Sequence, residues 1–381
     1  MHVRFRLNGS DVSAQVVDPH TTLLAFLRER GLTGSKEGCG EGECGACAVV
    51  RVVPGADGHP VYQAQNSCLV LLPSVADAEL YSVEGVAHNG TLHPVQESLV
   101  AHGGSQCGFC TPGFVMSMFA EYYRKGRGAY DADAISGNLC RCTGYRPIRD
   151  ALAALGEPAP DDGFGARLQW PSPVAGELAL ASERGDYFRP THLDAALAYL
   201  GHYPEAKVIA GGTDVAVEIN QQFRRFSRFV ALDAIDELAR VFWHDPVLVV
   251  GATVTLTALQ QALAGRVPIF ADLFPLFSSR LIRNRATLGG NVANASPIAD
   301  GTSVLLALAA DLVLVSAGKT RTLALDDFFV GYRQTALLPG EIVHSIRVPL
   351  PVPAKNRFYK VSKRPLDDIA IVSGAFAVDL D

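Results

Sequence analysis

The sequence predicts a multidomain α+β protein with three parts in order: a small β-rich domain, an all-helical domain and a larger α+β region. Three observations predict it. All eight cysteines lie between Cys39 and Cys142, so the first part of the chain carries chemistry that the rest lacks. Before Cys39 the apolar residues alternate, whereas after Cys107 they recur at three and four, which marks a change from strands to helices. A stretch rich in Pro, Gly, Asp and Ser then runs from Gly156 to about Arg189 and reads as a linker or extended crossing segment.

Bulk composition agrees. A length of 381 residues suits two or three domains. With 48% apolar and 19% charged residues the chain can build cores and is not of disordered type. Lys and Arg number 33 against 39 Asp and Glu, a net charge of −6, so nothing supplies the phosphate neutralisation that nucleic-acid binding needs. No window is apolar for the length of a membrane span, and Arg4 and Arg6 interrupt what would be the apolar core of a signal peptide. The expectation is a cytoplasmic protein.

The elements follow in order. Val3, Phe5 and Leu7 alternate, Asn8-Gly9 is a two-residue hairpin turn, and Val12, Ala14 and Val16 resume the alternation. Thr21-Thr22 precede Leu23, Leu24 and Leu27 at helical spacing, and Gly31 marks a helix stop. A cysteine loop comes next, and Ala48 to Val53 reads as a strand.

The cysteines form two groups of four. Cys39, Cys44, Cys47 and Cys68 are spaced C-x4-C-x2-C-x20-C, and Cys107, Cys110, Cys140 and Cys142 are spaced C-x2-C-x29-C-x-C. Disulfides suit a small secreted domain, not a long chain stapled at one end. Structural zinc prefers paired C-x2-4-C knuckles. The first spacing is the plant-type ferredoxin arrangement for a 2Fe-2S cluster, which is the preferred reading. Between Gly38 and Cys47 stand four glycines and no bulky apolar residue, as a loop wrapped round sulfur needs. Hairpin, helix, cysteine loop and strand together describe a β-grasp ferredoxin domain.

The second group sits in helical sequence. Pro94 and Pro112 fall at first helical positions with His93 and Thr111 as caps, and Phe114, Val115, Met118, Phe119 and Tyr122 form an apolar stripe. Pro147, Ile148, Ala151, Leu152 and Leu155 suggest a further helix after Cys142. Both helix N-termini would face one anionic cluster within a small helical bundle.

In the second half, Leu193 to Leu200 is helical, and a short strand from Lys207 breaks at Gly211-Gly212, a turn whose amides can cradle phosphate. A second glycine-rich stretch, from Ala286 to Asp300, offers close backbone approach, amides, hydroxyls and one carboxylate. Neither is a dinucleotide G-x-G-x-x-G or a Walker loop.

The strings EGCGEGECGACAV, SQCGFCTPGF and GNLCRCTGYRPI resemble those of the xanthine dehydrogenase and aldehyde oxidase family of molybdenum hydroxylases. The resemblance implies two 2Fe-2S domains, at 1–78 and 79–156, then a linker at 157–188 and a two-subdomain α+β FAD-binding domain at 189–350. It also implies the start of a further flavoprotein subdomain at 351–381, incomplete at Asp381. By motif, Lys207, Val208, Ile209, Ala210, Gly211, Gly212, Thr213, Asp214 and Val215 resemble the diphosphate loop. Thr287, Gly290, Asn291 and Asn294 resemble the second loop, and Asp300 is a further flavin contact. Phe277 stands where the family stacks an aromatic ring on the isoalloxazine, Val343 replaces a family Leu, and Lys360 matches a flavin-contacting lysine. Asp367 and Tyr332 match positions near nicotinamide access, and Gln106 and Cys142 match residues that abut the pterin.

The implied role is the electron-transfer subunit of a molybdenum hydroxylase, with no catalytic residue on this chain. Molybdopterin would sit on a large partner subunit, in an assembly of two small and two large chains. Electrons would pass through the Cys107 cluster, then the Cys39 cluster, to FAD and on to NAD. Two alternatives stand beside it. One is the same role with an aldehyde, nicotinate or another N-heterocycle as substrate, and the other is a freestanding iron–sulfur flavoprotein reductase.

Overall fold

Residues Asn8 and Gly9 both take positive φ, the signature of the type I′ turn that the Asn-Gly pair favours, and they join β1 (His2–Leu7) to β2 (Ser10–Gln15). The structure is a computed structural model that describes residues 2–126 and 128–379. Thr22 caps α1 (Leu23–Glu29) by accepting from the Ala25 amide, and Gly31 at φ 80° ends it. With β3 (Ala48–Pro54), β4 (Pro60–Asn66) and β5 (Glu79–Tyr81) these strands form one sheet in the order β2-β1-β5-β3-β4. The expected β-grasp order is present.

That sheet is buried on both faces. Val49 joins a core built with Val3, Phe5, Leu23 and Leu27, whereas Ala48, Val50 and Val52 turn to the helical domain. The helical domain consists of α2 (Pro94–Ala101), α3 (Thr111–Tyr122) and α4 (Arg146–Ala153). His93 caps α2 in a reciprocal box with Gln96. The cap of α3 is Cys110 itself, one residue earlier than the expected Thr111.

The expected linker at 157–188 is only partly a linker. It holds α5 (Gly163–Arg167), β6 (Leu178–Ser182) and the start of β7 (Gly185–Arg189). Five-residue strands with one or two buried positions each leave a weak period, which the neighbouring prolines obscured. The FAD region therefore begins before residue 189. After β7 come α6 (Leu193–His202), β8 (Lys207–Ile209), α7 (Thr213–Gln222) and β9 (Arg228–Ala231), closing a sheet in the order β6-β7-β9-β8. Tyr187, Ile209, Val215, Ile219 and Phe229 share the core of the first domain, so the two units are packed as one body of apolar side chains.

The second subdomain runs through β10 (Val241–His244), β11 (Val247–Gly251), α8 (Leu256–Leu263), α9 (Pro268–Leu273), α10 (Arg280–Arg283), α11 (Leu288–Ala293) and α12 (Asp300–Ala307). It continues with β12 (Asp311–Ser316), β13 (Lys319–Ala324), α13 (Leu325–Phe328), β14 (Phe329–Gly331), β15 (Gln334–Thr335) and β16 (Ile342–Pro349). Its sheet order is β10-β11-β16-β12-β13. A last hairpin, β17 (Lys355–Val361) with β18 (Val372–Val378), packs Phe358 into this subdomain's core. The chain end named above, Asp381, lies outside the described residues.

Ionic contacts tie the units together. Arg189 is fully buried and holds Asp77 at 2.7 Å and the Ala76 carbonyl at 3.1 Å. Arg280 and Arg283 of α10 pair with Asp131 and Asp133 of the helical domain. No helix among the described residues is long and apolar enough to cross a membrane.

Candidate functional site

The first cysteine group converges as two pairs. The Cys44 thiol donates to Cys39, lowering the Cys39 pKa and raising its own, and Cys68 does the same for Cys47. The second group is arranged likewise. Cys107 is held down first by the Phe109 amide and then by the Cys142 thiol, which is itself raised. Cys110 is pushed up to about 12, by burial and then by its bond to Cys140. Burial opposes ionisation of Cys140, and the hydroxyl and amide of Thr143 overcome it. Each pair thus has one sulfur disposed to the thiolate form that iron takes.

This pairing fits the implied group. A 2Fe-2S cluster takes two thiolates on each of two irons. Two pairs per group is that donor set.

The two sites differ in cover. Cys47 and Cys68 are buried beside Leu24, Leu69 and Ala216, whereas Cys107 and Cys142 are exposed. Gln106 is exposed next to them. α7 anchors the first cysteine loop from outside its domain. Asn220 donates to the Gly40 and Cys68 carbonyls, both at 2.8 Å, and Gln221 donates to the Cys39 carbonyl at 2.6 Å. On the other side, the Leu139 amide donates to the Cys44 carbonyl at 2.9 Å. Leu139 precedes Cys140, so one hydrogen bond joins the two cysteine groups.

The same helix α7 opens on the glycine turn. Gly212 caps it in the left-handed region with φ 75°, and no side chain covers the first-turn amides. Gly211 packs so closely on the Arg285 and Ala286 backbone that any side chain would collide, which brings the first glycine turn against the second. Val208 is half-buried, while Ile209 and Val215 are in the core. Ala210, Thr213 and Asp214 lie half-exposed around the turn. The side chain of Lys207 does not join them, because its Nζ bonds Glu218 at 2.7 Å.

Thr287 caps α11 by accepting from the Gly290 amide at 3.0 Å. Gly290 is exposed, Asn294 is half-buried, and Asn291 Oδ1 is buried without a partner. A Cβ on Gly301 would lie 2.8 Å from Asn291 Oδ1 and 3.4 Å from the Phe277 ring, so these three meet. Phe277 and Val343 belong to the same core. Lys360 Nζ bonds Asp300 at 2.7 Å and the Leu276 carbonyl at 3.0 Å. Burial raises the Asp300 pKa against the pull of Lys360, and Asp300 Oδ1 is left without a partner. Thr302 Oγ1 is orphaned in the same way. Buried polar atoms without partners normally mark a missing group. This set supplies acceptors and hydroxyls of the kind a flavin nucleotide would bind. Asp367 accepts from the Ser279 amide at 2.7 Å, whereas Tyr332 projects freely from the β14–β15 hairpin.

Three family models match in chain order. Residues 5–72 match a 2Fe-2S iron-sulfur cluster binding domain, and residues 82–153 match a [2Fe-2S] binding domain. Residues 180–351 match an FAD binding domain in molybdopterin dehydrogenase. The chain belongs to the molybdenum hydroxylase family, as an iron–sulfur/FAD unit. Among relatives of this molybdenum hydroxylase chain, a xanthine dehydrogenase of Emericella nidulans is 35% identical over 99% of the chain. A xanthine dehydrogenase/oxidase of Rattus norvegicus is 32% identical over 98% of it. The chain spans 32% of each of these relatives. Among solved structures, reconstituted CO dehydrogenase from Oligotropha carboxidovorans matches 53% of this chain and 72% of its own at TM-score 0.50 and 28% identity. The FAD match starts at residue 180, which agrees with the early start of the sheet.

Sequence reasoning missed Asn220, Gln221, Leu139 and Arg285. The first three act through contacts remote in sequence, so no local pattern marks them. Arg285 directly precedes the second glycine stretch, which is the one signal that could have drawn notice.

Proposed function

We propose that this chain is the electron-transfer subunit of a xanthine dehydrogenase, passing electrons from a molybdopterin site on a large partner subunit to NAD. The observation that carries the reading is the order of cover along the chain's three sites. The Cys107 group is open at the surface, the Cys39 group is enclosed between the helical domain and α7, and the glycine turn stands at the far end of α7. When bound, the clusters supply one-electron steps and the flavin couples them to a two-electron exchange.

The residues have distinct tasks in this reading. Cys107, Cys110, Cys140 and Cys142 hold the cluster that faces the partner, with Gln106 beside it. Cys39, Cys44, Cys47 and Cys68 hold the second, fixed by Asn220 and Gln221. Gly211 and Gly212 leave amides free for the diphosphate, Phe277 lies against the ring, and Lys360 with Asp300 sets the local charge. Asp367 and Tyr332 border the nicotinamide side. Hypoxanthine and xanthine, oxidised to urate, are the proposed substrates at the partner's site, in the cytoplasm and in a complex of two small and two large chains. The names of the relatives support the substrate assignment.

The test is to isolate the chain with whatever larger chain accompanies it, assay the metals and flavin, and add xanthine with NAD. About four iron, about four sulfide and about one FAD per chain are expected. Molybdenum should follow the larger chain, and xanthine should drive NADH formation. Zinc in place of iron would overturn the electron-transfer reading. Turnover of an aldehyde or another N-heterocycle instead of xanthine would overturn the substrate alone.

A further inference from the structure

Arg285 is more than nine-tenths buried, yet it belongs to no ion pair among the described residues. Its Nε donates to the Gly211 carbonyl at 3.0 Å, and its own carbonyl stands 2.0 Å from where a Cβ on Gly211 would be. Gly211 is therefore gripped from one side by both backbone and side chain. In a trans peptide the C=O and the following N–H point in opposite directions. Holding the Gly211 carbonyl toward Arg285 turns the Gly212 N–H away from it, toward the open side of the loop. Gly212 then starts α7, accepting from the Ala216 amide at 2.9 Å, so its N–H and the first-turn amides that follow are free for a ligand.

The charge around Arg285 points the same way. Burial disfavours its charge, and Asp233 and Tyr187 lie close enough to act on it electrostatically, as does Arg51 of the β-grasp domain. Arg189 is spent on Asp77. Asp233 Oδ1 is buried without a partner. A guanidinium on the carbonyl side of the Gly211–Gly212 peptide polarises that peptide further and strengthens its N–H as a donor.

We propose that Arg285 is a positioning residue for the diphosphate. It fixes the Gly211–Gly212 peptide plane so that the loop selects a nucleoside diphosphate over an uncharged flavin. This rests on the reading that FAD occupies this loop. The flavin ring lies elsewhere, by Phe277 and Lys360, so the effect of Arg285 is confined to the phosphate-bearing part of the ligand.

The experiment uses the full chain with its clusters, stripped of flavin, and measures binding of FAD, ADP and riboflavin. Arg285→Met removes both donor and charge. It should weaken FAD and ADP by about tenfold to a hundredfold while riboflavin changes by less than about threefold. Arg285→Gln keeps an amide donor for the Gly211 carbonyl and should recover part of the loss, and it serves equally if the Met variant does not fold. Equal weakening of riboflavin and FAD, or no change in either, overturns the proposal. Gly211→Val blocks the loop outright. If FAD binding survives that change, the reading beneath the proposal fails instead.

Discussion

Two sites of the same chemistry sit in one chain with opposite surroundings. The Cys39 group lies in a glycine loop of a β-grasp domain and is walled by other units, with Cys47 and Cys68 inside an apolar cluster that includes Ala216 of α7. The Cys107 group lies at helix starts and leaves two of its four sulfurs exposed. The difference teaches that two sites with the same ligand type can be set apart by burial alone, and the proposed order of use follows that burial. An exposed site can exchange with a partner, whereas an enclosed one can only relay between neighbours.

The sharpest way to break this comparison is to remove one ligand from each site. Cys68→Ser should lose about half the iron and also release FAD, because the residue packs on the helix that carries the glycine turn. Cys142→Ser should lose about half the iron and keep the flavin. Iron assay, electron paramagnetic resonance and flavin absorbance distinguish the two. If both variants kept FAD equally well, the enclosed site would have no structural claim on the flavin.

Acid should next separate the two domains. His93 is buried in the helical domain, its Nδ1 accepting from the Val95 amide and its Nε2 paired with Tyr123 at 2.8 Å. Burial lowers its pKa from 6.5 to about 4. The folded state therefore binds fewer protons than the unfolded one, and stability is lost as pH falls from 6.5 toward about 4. The full loss is roughly 3 kcal/mol. Urea unfolding of the helical domain at a series of pH values should trace it, and His93→Asn, which keeps a cap, should flatten the curve.

A smaller effect is expected where the sites meet. A Cβ on Gly113 would strike the Gly45 carbonyl, so Gly113→Ala should cost about 1–3 kcal/mol in urea melts by prising the two cysteine domains apart. Smallest is Asn220→Ala, which removes two donors to the first cysteine loop. It should cost about 1–2 kcal/mol and speed chelator attack on that cluster while leaving the exposed cluster unchanged.

Much of this was legible in sequence for a physical reason. Asn8-Gly9, Thr22, Gly31 and His93 act on backbone within a few residues, so their effects are written locally. The cysteine spacings encode their sites because a cluster dictates the loop around it. The hairpin at 178–189 was hidden because its strands are short and flanked by prolines. The partnership of α7 with the cysteine loop was hidden more deeply. Asn220 and Gln221 look like ordinary polar helix residues, and their partners lie some 150 to 180 residues away. Lys207 was placed at the start of the turn by motif, and the pairing of its side chain with Glu218 is a further contact the sequence did not mark.

The close backbone contacts of Gly45 also set a timetable for biogenesis. Gly45 meets Gly137 and Asn138 of the helical domain, and Gly113 closes on its carbonyl, while α7 seals the Cys68 end. Once these surfaces have docked, Cys47 and Cys68 are covered, whereas Cys107 and Cys142 stay exposed. The expectation is that the enclosed site is loaded before the domains dock and the exposed one after. In a pulse of isotopically labelled iron, label should reach the first cysteine group ahead of the second.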